Sequence, residues 1–347
     1  MTEDRAGLTN KTEEDVAVEY EDEKTGGGNF TYEEETASIS DNPLAVSVDI
    51  EDWYHVPAVT GSSFSEYKDV HEFFDEWDEE YDYLTEPTHR TLDLFDELEI
   101  TATFFIVADV VDNYPGLVGE IADRGHEIGC HGLHHECAID PDTKEPRFTR
   151  EEYKEQIGTA KRKLEDATGQ EVVGFRAPNA YIGGWVLDVI EALGFEYDSS
   201  VARNSLFNKT DSELPHVDTH PYVPRQDSLT PGGDRSLIEL PWPFWKVGPV
   251  MVPTGGGPLI RLFGESVVKR GVVQSLERGP SSFYFHPVDI ARTDFPKVGN
   301  TKRRPAYWLF KGETAEKRIR SLLTSIGTER CLPCGTTIQW WQSEYVQ

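Results

Sequence analysis

Short apolar runs alternate with helix-spaced segments along most of this chain, and that alternation constrains its fold more than any other feature. The stretch Leu44–Ile50 reads as a buried strand, and residues 102–107, 126–130, 172–176, 237–240 and 282–286 read as further strands. Between them, Pro87 marks a helix start with Leu92, Leu94, Phe95 and Leu98 at helical spacing. Residues 115–124 form a helix closed by Gly125, Thr149 caps a helix running to Thr168, and residues 185–193 form one closed by Gly194. Strand followed by helix, repeated, is the pattern of a parallel sheet covered by helices. The chemically capable residues fall at one recurring place in it. Asp49, His131, Arg176 and His286 each stand at or just past the C-terminal end of a strand, where barrel folds put their active sites.

The chain is 347 residues long, enough for one large α/β domain or two ordinary ones. No apolar run reaches the 18 or so residues that a membrane-spanning helix needs. The charge is extreme, with 63 acids against 33 bases and a net of −30. Residues 1–42 hold 13 of the acids and 3 of the bases, and include the glycine triplet Gly26-Gly27-Gly28; they read as a disordered acidic tail without the apolar core of a secretory signal. A cytoplasmic site is the expectation that follows. Charge of this sign excludes general electrostatic binding of nucleic acid. Surface carboxylate with sparse lysine suits high salt, where screening relieves self-repulsion, and points to a halophilic source. Of the four cysteines, Cys331 and Cys334 form a lone CxxC with no second pair to complete a zinc ribbon, and a structural role is expected for it.

His131 and His135, four positions apart just after a strand, can turn toward one point as metal ligands. His126 and His134 read as their neighbours. Asp49, Glu51 and Asp52 form an acidic knot at the end of the first strand; alternation sets Asp49 and Glu51 on one side, with Asp52 elsewhere unless the chain turns. Carboxylates ending an apolar strand are costly to bury without a metal or a cation. Arg176 could hold such a carboxylate ionised and oriented. His286, followed by Asp289, has the makings of a general acid held by a carboxylate.

These fragments resemble a family. Ser47-Val48-Asp49-Ile50-Glu51-Asp52-Trp53-Tyr54, His131-Gly132-Leu133-His134-His135-Glu136, Gly174-Phe175-Arg176-Ala177-Pro178, Tyr197-Asp198-Ser199-Ser200, Ile238-Glu239-Leu240-Pro241 and Phe283-Tyr284-Phe285-His286-Pro287 occur in the order found in polysaccharide deacetylases of the NodB-homology group, carbohydrate esterase family 4. The Asp-x-Glu-Asp-Trp opening and Gly255-Gly256-Gly257 are most similar to the subgroup associated with exopolysaccharide and exosortase loci. The resemblance spans roughly residues 44–310. It implies a distorted (β/α) barrel over residues 43–330, with 331–347 as a C-terminal segment. It also implies removal of N-acetyl groups from an N-acetylated polysaccharide or lipid-linked glycan, with a divalent metal, Zn²⁺ first, as cofactor. Asp49 would be the base, Arg176 its positioning partner and His286 the acid, with His131 and His135 as metal ligands. The commonest opening of the family has two adjacent aspartates, whereas Ile50 follows Asp49 here. The third ligand is therefore Glu51 or Asp52, and a turn after the strand would favour Asp52. Trp53, Tyr54, Pro178 and Trp242, with Trp245, are the expected sugar contacts. Two rival functions stand beside this one: hydrolysis of a cyclic amide on the same fold, and non-catalytic sugar binding.

Overall fold

A computed structural model describes residues 41–345 except 58, 63–64, 78–80, 295 and 297–308. The acidic tail expected over residues 1–42 lies almost wholly outside the described residues. The described strands are β1 (Leu44–Ile50), β2 (Thr103–Ile106), β3 (Glu127–Cys130), β4 (Gly174–Phe175), β5 (Tyr197–Asp198), β6 (Ile238–Glu239), β7 (Phe244–Val247), β8 (Val250–Pro253), β9 (Ser281–Phe285) and β10 (Cys331–Leu332).

Strand β1 is buried on both faces, and its two faces do different work. Leu44, Val46, Val48 and Ile50 join the main apolar core with Leu92 and Phe95 of the helix Thr85–Leu98. Ala45 packs on the other side with Phe105, Tyr197 and Ile238. Successive side chains of a strand point to opposite faces, so Ser47, Asp49 and Glu51 continue the line begun by Ala45 toward the strand's C-terminal end. The inner face thus runs from apolar to charged within one strand.

Strands β9, β1, β2, β3, β4, β5 and β6 pair in that order, all parallel. The sheet curls into the distorted (β/α) barrel that the resemblance implies. Among the described residues, no regular ladder closes the ring between β6 and β9. The antiparallel hairpin β7–β8 leads into Gly256, which bridges Tyr284, and Ser282 Oγ donates to the Pro241 carbonyl at 3.1 Å. The segment set apart in sequence as C-terminal is built into this sheet. Cys331 and Leu332 pair with Leu44 and Ala45, ahead of the point where β2 begins to pair at Ser47. The helix Cys334–Tyr345 then sets Cys334, Ile338 and Trp341 against Ala45 and Phe105. All four cysteines are buried and free.

Helices form the outer layer where the sequence places them, with boundaries shifted by a residue or two. Thr149 caps Arg150–Thr168: its hydroxyl accepts from the Glu152 N–H while Glu152 reaches back to the Thr149 N–H, so two orphan donors are satisfied at once.

Candidate metal and catalytic site

Four strand ends meet at the rim of the barrel. From β1, Asp49 and Glu51 emerge on the inner side, both nearly fully buried. From β3 the chain turns through Gly132, whose φ of +84° is open to glycine and strained for other residues, and delivers His131 and His135 to the same place. A Cβ on Gly132 would also sit 3.1 Å from the ring of Pro178, which props this turn from below. Glu51, His131 and His135 each offer one ligand atom, and those atoms all lie within 4.8 Å of one another. Glu51 Oε2 is 2.6 Å from His135 Nε2 and 3.8 Å from His131 Nε2.

The tautomer of His131 is fixed by its surroundings. Its Nδ1 lies 2.8 Å from the Arg176 carbonyl, which can only accept, so Nδ1 carries the hydrogen and Nε2 presents a lone pair. Both ring nitrogens of His135 are buried without a hydrogen-bond partner. Its Nε2 and Glu51 are thus close but out of line, as ligands converging on a third body would be. Burial by itself would push Glu51 up, but the charges of His135 and His286 outweigh it and hold the carboxyl well below its usual range. Burial keeps His135 below its usual value despite the pull of Glu51.

Asp52, the preferred third ligand in the sequence reading, does not join the two histidines, whereas Glu51, the alternative, does. Alternation persists through Glu51, so Asp52 points away from the histidines and starts the short helix Trp53–His55 instead. Its Oδ1 accepts from the Trp53 N–H at 2.7 Å and its Oδ2 from the Tyr114 hydroxyl. Burial lifts its pKa to about 7 against those hydrogen bonds. Sequence did not single out His55, which is buried with its ring 4.9 Å from that of His135. His134 sits aside, its Nδ1 2.6 Å from Asp109, and His126 is packed on Phe104 in the core.

Arg176 is a fully buried guanidinium with its donors directed. Nη1 donates to Asp49 Oδ1 at 2.6 Å and to Ser47 Oγ at 2.9 Å, Nε to the Ser199 carbonyl at 2.8 Å, and Nη2 to Ser199 Oγ at 2.9 Å. Its guanidinium carbon lies 4.1 Å from the centre of the Phe105 ring. These bonds fix the arginine, and the arginine fixes Asp49.

From β9, His286 turns its Nε2 to within 3.3 Å of Glu51 Oε1 and 3.9 Å of Asp49 Oδ2. Its Nδ1 lies 3.2 Å from Asp289, whose carboxylate also accepts the His286 N–H at 2.9 Å. Burial would lower His286, but Glu51, Asp289 and Asp49 together raise it to about 9. One residue behind it escaped the sequence reading: Arg261, buried, places Nε 2.7 Å from Asp289 Oδ1. The approach needs a bare backbone, since a Cβ on Gly257 would come within 2.0 Å of Asp289 Oδ2. Only the Gly255–Gly257 run in the sequence hints at it.

These groups open into a cavity of about 460 Å³ lined by Asp49, Glu51, His131, Arg176, Trp242 and His286 among others. Of the expected sugar contacts, Trp242 lines it, with its indole N–H donating to the Ser199 carbonyl at 3.0 Å. Trp53 and Tyr54 do not. They are buried in a satellite cluster with Phe73 and border a separate cavity, because the turn at Asp52 carries them behind the site. Pro178 is spent propping Gly132 and is absent from the lining. Trp245 lies on β7, beyond the residues that line the cavity.

Residues 67–197 match the polysaccharide deacetylase family model. A second model, of a domain of unknown function (DUF3473), matches residues 213–331. The site is assembled from both and from β1, which precedes either: Asp49 and Glu51 come from β1, His131, His135 and Arg176 from the first match, and Arg261, His286 and Asp289 from the second. A peptidoglycan deacetylase of Helicobacter pylori is 25% identical over 174 residues, which is 47% of this chain and 55% of that protein. The chain thus spans about half the length of that curated relative. Among solved structures, a putative polysaccharide deacetylase from Mycobacterium smegmatis superposes with a TM-score of 0.56 at 19% identity, over 90% of this chain and 93% of the other. PuuE allantoinase does so with 0.53 at 14%, over the same shares. At such identities the two structures share the fold with this chain.

Proposed function

We propose that this protein is a metal-dependent hydrolase that removes N-acetyl groups from the sugars of a polysaccharide or glycan precursor. The observation that carries this reading is the meeting, in one cavity, of a Glu51–His131–His135 ligand set with an Arg176-held aspartate and an Asp289-held histidine. The donors suit the group: two imidazoles and a carboxylate are a zinc-type set, and the buried His135 Nε2, without a hydrogen-bond partner, is free to serve as a ligand atom. Glu51, His131 and His135 would hold the ion, which would polarise the acetyl carbonyl and acidify the attacking water.

The chain's own residues supply the proton transfers. Asp49, held by Arg176 at 2.6 Å, accepts the proton of the attacking water. His286 donates from Nε2 to the departing nitrogen, because an amide nitrogen leaves poorly unless protonated. Asp289, itself held ionised by Arg261, keeps that imidazole oriented and protonated. The products are acetate and a free amine on the sugar. The resemblance of the opening motif favours an exopolysaccharide as the polymer.

Acetate release from an N-acetylglucosamine oligomer, with and without added zinc, tests the reading. Retained release in Asp49→Asn would sink the assigned base. Likeness in fold to an allantoinase makes ring opening of a cyclic ureide the informative comparison in the same assay. Ureide turnover without acetate release would replace the proposal with that chemistry.

A further inference from the structure

The cavity carries positive charge that neither the ligand set nor the proton transfers use. Lys144, Arg203 and Lys209 line it, and Asp49 and Glu51 are the only carboxylates among the described residues that do so. Asp140 and Asp142, on the same loop as Lys144, stand outside the lining. None of the three cations has an ion-pair partner among the described residues, although the protein as a whole carries a net −30. Their contacts hold them without neutralising them. Lys209 donates to the Asn179 carbonyl at 2.8 Å, Arg203 to the Val217 carbonyl at 2.8 Å, and Lys144 to the Pro141 carbonyl. The ammonium groups of Lys144 and Lys209 lie 4.8 and 5.4 Å from the centre of the Tyr181 ring, which also lines the cavity. Burial lowers Lys209 to about 8, against pulls from Cys137 and Glu51. Uncompensated cations are costly to gather in a half-buried cavity, and an acidic protein has carboxylates in plenty with which to pair them.

We infer that Lys144, Arg203 and Lys209 form a subsite for an anionic group, a carboxylate or a phosphate, carried by the N-acetylated glycan. The inference rests on the deacetylase reading for the identity of the sugar, and on the basic wall alone for its charge. A protein of net −30 repels an anionic polymer at long range, so a local positive wall is what would admit one. Arginine and lysine facing a common space from two loops suit a carboxylate or phosphate, whose charge-assisted bonds are short and strong. A neutral acetamido sugar would leave these cations unsatisfied.

The test uses matched probes at low ionic strength. One pair is an alternating N-acetylglucosamine–glucuronic acid tetrasaccharide and its methyl ester; the other is N-acetylglucosamine 1-phosphate and N-acetylglucosamine. Acetate release and calorimetric Kd are read for each in the zinc-loaded protein. The expected result is a preference of about tenfold or more for the charged member of one pair, the size of a lost charge-assisted bond. Preference within the first pair identifies a carboxylate and within the second a phosphate. In Lys144→Gln/Lys209→Gln the charged-to-neutral ratio should fall toward one, while Lys209→Arg should keep it, which separates lost charge from lost fold. Equal Kd and equal rates within both pairs, or a ratio untouched by the double substitution, would overturn the inference. Charge-dependent binding without acetate from any probe would instead overturn the deacetylase reading and leave the anionic subsite standing.

Discussion

Two pairs of buried acids stand at strand ends of this barrel, and they differ in what surrounds them. Asp49 and Glu51, at the end of β1, meet Arg176, His131, His135 and His286. Asp198 and Glu239, register partners across β5 and β6, are as deeply buried, yet no ion pair reaches them among the described residues. Burial and the Asp198 charge raise Glu239 well above its usual range, and burial raises Asp198 too. Asp198 accepts from the Ser200 hydroxyl at 2.6 Å, and Glu239 from the Val201 N–H at 2.9 Å. Equal burial thus leaves Glu51 well below its usual range at one place and lifts Asp198 and Glu239 above theirs at the other. The partner charge decides which pair can do chemistry.

The comparison breaks first at Asp49. Asp49→Asn should lower the rate of acetate release by about a hundredfold to ten-thousandfold while leaving zinc content unchanged. An active variant would mean that the base lies elsewhere. Next in size, Glu51→Gln should weaken zinc binding by more than the ~10–100-fold that loss of an outer hydrogen-bond partner costs. Asp52→Asn should leave zinc stoichiometry intact, and metal titration of the two variants decides between the neighbouring acids. Arg261→Met leaves the buried Asp289 carboxylate with His286 as its remaining partner and should cost up to about 3–5 kcal/mol in urea unfolding, the usual loss when one member of a buried pair is removed.

The smallest effect concerns the other pair. Because the Glu239 pKa is raised in the folded state, the fold holds a proton that the unfolded chain releases above the ordinary glutamate range near 4.3. Stability from this residue is therefore full at low pH and lost as pH climbs from there toward the raised value. Glu239→Gln should be nearly neutral at acid pH and should flatten that decline. Chemical unfolding at a series of pH values reads it; an unchanged slope would mean that Glu239 is ionised in the fold.

Much of this was legible in the chain, and the misses have physical causes. Local periodicity and caps marked the long helices and the longer strands, since those signals reside in neighbouring residues. Strand β5 has two residues and β10 has two, too few for a period to show. The helix Glu313–Ile326 buries Ala315, Ile319, Leu322, Leu323 and Ile326 at helical spacing, so its signal was present though unassigned. Spacing alone placed the two histidines and the acidic knot. It could not choose Glu51 over Asp52, because that choice depends on whether the strand ends in a turn before or after residue 51.

The sequence by itself determined the parallel strand–helix order, the residue types gathered at strand ends and the strongly acidic balance, all properties of adjacent residues or of sums over them. The tertiary structure decided which of those residues meet. It turned Asp52, Trp53 and Tyr54 away behind the site, brought Arg261 from a distant helix to Asp289, and set Lys144, Arg203 and Lys209 around the cavity that holds Glu51. Such meetings depend on how the sheet curls and where loops return, and no local run of side chains encodes that.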